Sequence, residues 1–191
     1  MNFIVGFLYL LLQDNTKTFN FLRQVISQHN MEDLFSQGVP LLKKHFYQMD
    51  RLLYFHFPDI FAFLRNEGIR ASSFSPSWFI TLFTNSLQYS TKGVPGDLLL
   101  VVWDVFLLYG WKAIFKVGIF IVETLMRELI TTRIDHIMMA FGNVPKGSFF
   151  EDPMVLDKFR KEFKKIKINN DVVEALNKEY MEIIGKANKG E

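Results

Sequence analysis

An all-α fold, a compact array of about ten helices, is predicted for this 191-residue chain by three observations. Apolar side chains recur at three- and four-residue steps along almost its whole length, and strict alternation is nearly absent. Prolines stand where helices can begin and glycines where they can end. The 21 phenylalanines, in a composition that is 49% apolar, supply enough side-chain volume for one large core. The length suits one domain or one large subdomain.

The uncharged run at the start predicts a helix over 1–13, apolar on every face as a fully buried helix would be. A second helix is predicted over 17–29. Pro40 opens a run carrying Leu42, Phe46, Met49 and Leu53, hence a helix over 40–56; Pro58 opens a shorter one over 58–67, closed by Gly68. Ser75-Pro76 reads as an N-cap with proline in the first turn, leading into Trp78, Phe79, Leu82 and Phe83 and a helix over 76–88. Asp97 can cap a helix over 97–109 that Gly110 ends, and helices over 111–130 and 133–141 come next. Asp152-Pro153 repeats the cap-and-proline pattern before a helix over 153–167, and the last helix covers 171–185. These two carry clear stripes, Leu156, Phe159, Phe163 and Ile166 on one and Val173, Leu176, Tyr180 and Ile183 on the other, and should dock on the main body. Asn188–Glu191 reads as a frayed tail.

Charge and composition exclude several classes. With no cysteine there is no disulfide framework and no thiolate metal site. Residues 1–156 hold 13 basic and 13 acidic side chains, so the body is neutral and lacks the basic stripe that nucleic acid requires. The cluster Lys158, Arg160, Lys161, Lys164, Lys165 and Lys167 reads as the solvated face of an amphipathic helix. Phe3–Leu12 has no basic residue before it and Gln13-Asp14-Asn15 after it, against a signal peptide. The longest apolar stretch, Leu98–Val122, is interrupted by Asp104, Lys112 and Lys116, so no transmembrane segment is expected.

The usual catalytic signatures are missing: no phosphate-binding glycine loop, no nucleophile elbow, no paired histidines on a helix. His29, His45, His56 and His136 are scattered, with no ligand spacing among them, so neither a metal site nor a cofactor is expected. Arg133, Asp135 and His136 read as a helix-start cluster, Asp135 complementing the dipole. His45 and His56 lie among aromatic residues as core or boundary histidines. Asp104 stands inside a run apolar on nearly all sides. A buried carboxylate there must be paired or hydrogen-bonded. It either forms a polar clasp between helices or orients a partner-binding surface.

The segments Trp78-Phe79-x-Thr81-Leu82-Phe83, Trp103-Asp104-x-Phe106-Leu107-x-x-Gly110 and Ile114-Phe115-Lys116-Val117 together resemble the second half of a TBC domain, the helical GTPase-activating domain that acts on Rab GTPases. Met31–Phe35 and Pro58–Leu64 are similar to the same family, and Met1–Gly6 resembles the segment just after its Y-x-Q-G motif. The likeness covers roughly residues 1–140, leaving 141–191 as C-terminal helices docking on that lobe. It marks Asn2, Trp78, Phe79, Trp103, Asp104 and Gly110 as motif residues. Large aromatics at helical spacing pack inward, so Trp78, Phe79 and Trp103 are expected in the core rather than against a partner. The exposed face of helix 76–88 and the loop Ser90–Gly96 are the better contact surfaces. Two positions depart from the family pattern: Val101 stands where arginine is usual, and Tyr109 where an acidic residue is.

The resemblance implies that the family supplies an arginine from I-x-x-D-x-x-R and a glutamine from Y-x-Q to the bound GTPase. The arginine offsets charge on the transferred phosphoryl group and the glutamine orients water, a contribution of about 10³–10⁵ in rate for such a finger. Neither motif occurs in this sequence, and Tyr47-Gln48 has the wrong spacing. The chain is therefore expected to be the C-terminal lobe of a Rab GTPase activator, its first residue an internal position of a longer domain. Its partner would be a Rab-family GTPase and its setting intracellular, cytoplasmic or peripheral to endomembranes, in vesicle trafficking. The lobe alone should be inactive, and its exposed apolar surface should lead to self-association or to a repacked first helix. The alternative is a helical interaction module, catalytically silent even at full length.

Overall fold

The computed structural model describes residues 1–87, 97–129, 131–142 and 153–189, and all regular structure among them is helical. The helices are α1 (Asn2–Leu12), α2 (Asn15–Gln28), α3 (Glu32–Phe35), α4 (Pro40–His56), α5 (Pro58–Asn66), α6 (Ala71–Phe74), α7 (Pro76–Thr81), α8 (Asp97–Tyr109), α9 (Trp111–Leu129), α10 (Ile134–Gly142), α11 (Pro153–Lys165) and α12 (Asn170–Lys189). Each expected helix is present, that over 76–88 only as the six-residue α7. The sequence missed α3 and α6, four residues each and too short for periodicity to register.

Two helices organise the rest. α9 is buried along most of its length, from Ala113 to Met126, and packs against α4, α7, α8, α10 and α11. α4 carries α3, α5, α6 and α12. The two cross where Gly118 meets Met49: a Cβ added at Gly118 would stand 2.9 Å from the Met49 methyl and 3.6 Å from the Trp78 ring. A hydrogen side chain there lets the backbones approach closely.

Local chemistry sets the corners. Asp14 caps α2, its Oδ1 accepting from Lys17 N–H at 2.8 Å, which starts that helix two residues earlier than predicted. On α4, the half-buried Asp50 carboxylate accepts from Ala71 N–H at 2.9 Å and pins the start of α6. Gly68 and Gly110 both take positive φ, at 73° and 65°. Each lets the chain leave a helix in the left-handed region that L side chains resist.

Five expectations are corrected. The helix predicted over 76–88 ends at Thr81, where Leu82 (φ 48°) and Phe83 (φ 63°) turn left-handed. Thr81 Oγ1 donates to Ser77 O at 2.7 Å and Thr84 Oγ1 to Thr81 O at 2.6 Å, bonds that compete with helix continuation. The turn buries Leu82 and Phe83 completely. Burial at about 1.5–3 kcal/mol per side chain offsets a left-handed cost of about 1–2 kcal/mol per residue. Ser75 does not cap α7; its hydroxyl donates back to Ala71 O at 2.6 Å. α1 is not buried all round: Ile4, Phe7 and Leu8 enter the core, while Phe3, Val5, Tyr9, Leu10 and Leu11 are exposed. In α12 Ile183 is exposed, and the helix runs to Lys189 through part of the expected tail.

Other residues of the α11 and α12 stripes pack against α9 and α4. Phe159 meets Phe120 of α9 edge to face, with ring centroids 5.1 Å apart. Leu176 is buried where α12 packs on α4. The side chains of Asp152 and Leu156, like the loop Ser90–Gly96, lie outside the described residues.

Candidate functional site

Of the motif residues, Phe79 of α7 and Trp103 of α8 join one aromatic spine with rings from α1, α4 and α9. Phe7 of α1 lies against Trp103 with centroids 4.7 Å apart, and Trp103 meets Phe106 at 5.9 Å. Phe106 reaches Trp111 at 5.8 Å, and Trp111 contacts the His45 ring at 4.2 Å. His45 packs in turn on Phe79 and Phe115, each at 5.3 Å. Trp78 belongs to a second aromatic cluster, with Phe74, Phe83 and Phe141. Trp78, Phe79 and Trp103 are each 3% exposed or less, so all three serve packing, as expected of aromatics at helical spacing.

Polar groups threaded through the spine fix its orientation. Trp111 Nε1–H donates to His29 O at 2.8 Å, tying the start of α9 to the end of α2. Gly110 fits beneath the same histidine; a Cβ there would lie 3.4 Å from His29 Nδ1. Asn177 Oδ1 accepts from Gln48 Nε2 at 3.0 Å, leaving Gln48 Oε1 to accept from His45 Nδ1–H at 2.8 Å. That chain selects the Nδ1-protonated tautomer of His45. Burial pushes the His45 pKa down to about 3, the Gln48 bond opposing and the Lys44 charge adding to the shift. The ring is therefore a neutral packing element at physiological pH. No sequence signal distinguished this relay, because Gln48 and Asn177 lie 129 positions apart.

Asp104 is not the buried carboxylate that its apolar surroundings suggested. α8 buries Leu98, Leu99, Val102, Trp103 and Phe106, and Asp104 falls on the opposite, exposed side with Leu108. It makes no ion pair or side-chain hydrogen bond among the described residues, which removes the polar-clasp reading. The buried carboxylate of this region is Glu123 on α9, gripped by Arg127 one turn later with Nε to Oε1 at 2.9 Å. The i,i+4 spacing of that pair was visible in the sequence. Asn2 is likewise exposed, in the first turn of α1.

Arg133 and Asp135 pair at 3.1 Å on the exposed start of α10. Among the described residues no three His, Cys, Asp or Glu side chains stand close enough to share a metal ion. No described helix is long and apolar enough to cross a membrane. The rings of the spine pack α1, α4, α7, α8 and α9 against one another.

Against known families, the model described as "Rab-GTPase-TBC domain" matches residues 1–130. The chain belongs to this family. The Rab-GTPase-TBC match spans α1 to α9, the helices that build the spine. Among curated relatives, the Ecotropic viral integration site 5 ortholog of Drosophila melanogaster is 27% identical over 93% of this chain and 21% of its own length. The Rab GTPase-activating protein eat-17 of Caenorhabditis elegans is 24% identical over 94% of this chain and 19% of its own length. The GTPase-activating protein GYP5 of Saccharomyces cerevisiae is 25% identical over 72% and 15%. This TBC chain thus spans about a fifth or less of these relatives.

Proposed function

We propose that this chain is the C-terminal part of a Rab GTPase-activating domain, with residues 1–140 as the lobe and 141–191 as helices docked on it. The lobe contributes scaffold and part of the GTPase-facing surface, working in the cytoplasm or at endomembrane surfaces. The observation that carries this reading is the family match over α1–α9, backed by relatives whose names give Rab or GTPase activation. On its own the chain does not accelerate hydrolysis, because it holds neither I-x-x-D-x-x-R nor Y-x-Q. Without a finger arginine there is nothing to offset charge on the transferred phosphoryl group. With Trp78, Phe79 and Trp103 enclosed, the exposed Asp104 is the motif side chain best placed to meet a partner.

The test is single-turnover GTP hydrolysis by a panel of Rab proteins, with this chain and with a protein extended upstream through both finger motifs. Acceleration by the extended form alone is the expected result. Acceleration by neither would favour a silent interaction module, and acceleration by this chain alone would show that the two fingers are dispensable. In the extended form, Asp104→Ala should lower kcat/KM without shifting the melting temperature; unchanged kinetics would remove Asp104 from the contact surface.

A further inference from the structure

A groove of about 630 Å³ opens between α8, α9 and α11, away from the aromatic spine. Its floor is apolar, built by Val101 and Val105 of α8 and by Phe163 of α11, over the buried Phe159. Its walls are cationic. Lys112 and Lys116 stand one turn apart on α9, and Arg160 and Lys164 one turn apart on α11. Among the described residues no carboxylate lines it. The charges are weakly engaged: Lys116 Nζ meets the Phe163 carbonyl at 3.4 Å and the Phe163 ring face at 4.9 Å, and Arg160 has Asp157 at 3.8 Å. Lys112 Nζ donates to Asn170 Oδ1 at 2.9 Å, and Glu174 shares the adjoining cleft with it. At the end of α8, Leu108 is 74% exposed and Tyr109, which lines the groove, 52%.

We infer that this groove binds an anionic phospholipid at a membrane surface, its acyl chain on the Val101–Val105–Phe163 floor and its phosphate between the α9 and α11 cations. The volume is that of a small-molecule site, where an apolar lining with a few convergent polar groups is the rule. A free phosphate or a nucleic acid would use the cations and leave the apolar floor unfilled. A neutral lipid would fill the floor and leave four cations unanswered. Leu108 and Tyr109 beside the groove are the apolar and amphipathic groups that enter a headgroup layer. Burial and the Lys112 charge lower the pKa of Lys116, so an anion here relieves a cost that the folded protein already carries. The inference does not depend on the GTPase reading.

The experiment is co-sedimentation of the full chain with phosphatidylcholine vesicles carrying roughly one-fifth phosphatidylserine, against phosphatidylcholine alone. Binding is expected only with phosphatidylserine and should weaken as salt is raised. R160E/K164E, both on the exposed face of α11, should lose at least about tenfold in affinity. K43E, an exposed lysine on α4, makes the same kind of charge change elsewhere and should leave binding as it was. Val105→Trp fills the floor without touching a charge and should also reduce binding; a thermal melt of each variant separates lost affinity from lost fold. Equal losses from K43E and R160E/K164E would mean unspecific attraction and overturn the inference. So would no binding to either vesicle.

Discussion

His45, only 2% exposed and enclosed by Phe79, Trp111 and Phe115, makes folding stability depend on pH. Its pKa falls from 6.5 to about 3 on folding, so below pH 6.5 the unfolded chain binds a proton that the folded chain refuses. Stability is therefore unaffected by this group above pH 6.5 and is lost progressively as pH falls toward 3. At pH 5 the loss should be about 2 kcal/mol. Denaturant titrations at pH 7 and pH 5 should show His45→Asn with a smaller difference between the two, whatever its absolute stability. An unchanged difference would place the acid sensitivity elsewhere. Asp104, in contrast, is solvated, and Asp104→Asn should change stability by less than about 0.5 kcal/mol.

Glycine sets one helix end and one helix crossing in this protein. Gly110 sits at φ 65° between α8 and α9, so Gly110→Ala should cost about 1–2 kcal/mol in a denaturant titration. At Gly118 the strain is steric instead. Alanine needs only the flexible Met49 methyl to move, whereas valine also presses on Trp78, and Gly118→Val should cost about 1–3 kcal/mol. Equal melting temperatures for the two Gly118 variants would mean that α4 and α9 are less tightly apposed than 2.9 Å implies. The elements also show what periodicity reads well. Pro40 and Pro58 marked the starts of α4 and α5 to the residue, because proline acts through its own ring. The end of α7 could not be read, since left-handed Leu82 and Phe83 are stable only because the finished core covers them.

Over the whole molecule, apolar surface is unevenly distributed. Val5 and Tyr9 of α1 and Phe19 of α2 line an open cleft, with Phe19 65% exposed. Contiguous apolar surface of this kind is uncommon on a monomer that stays monomeric. Sedimentation velocity should show concentration-dependent association, and the double substitution Tyr9→Ser with Phe19→Ser should abolish it. Monomeric behaviour across the concentration range, with no binding of an environment-sensitive dye, would overturn this expectation.

The sequence by itself determined the all-α class, the long helices and the family likeness, because three- to four-residue spacing and proline position are local properties of the chain. It also placed Trp78, Phe79 and Trp103 in the core, since ring size and spacing alone favour burial. Which carboxylate is buried was decided by tertiary structure: Asp104 and Glu123 both lie in apolar runs, and only the packing of α8 on α9 shows which faces out. The His45–Gln48–Asn177 relay and the groove between α8, α9 and α11 were decided the same way. Each joins residues far apart in the chain, and a single sequence records no such adjacency.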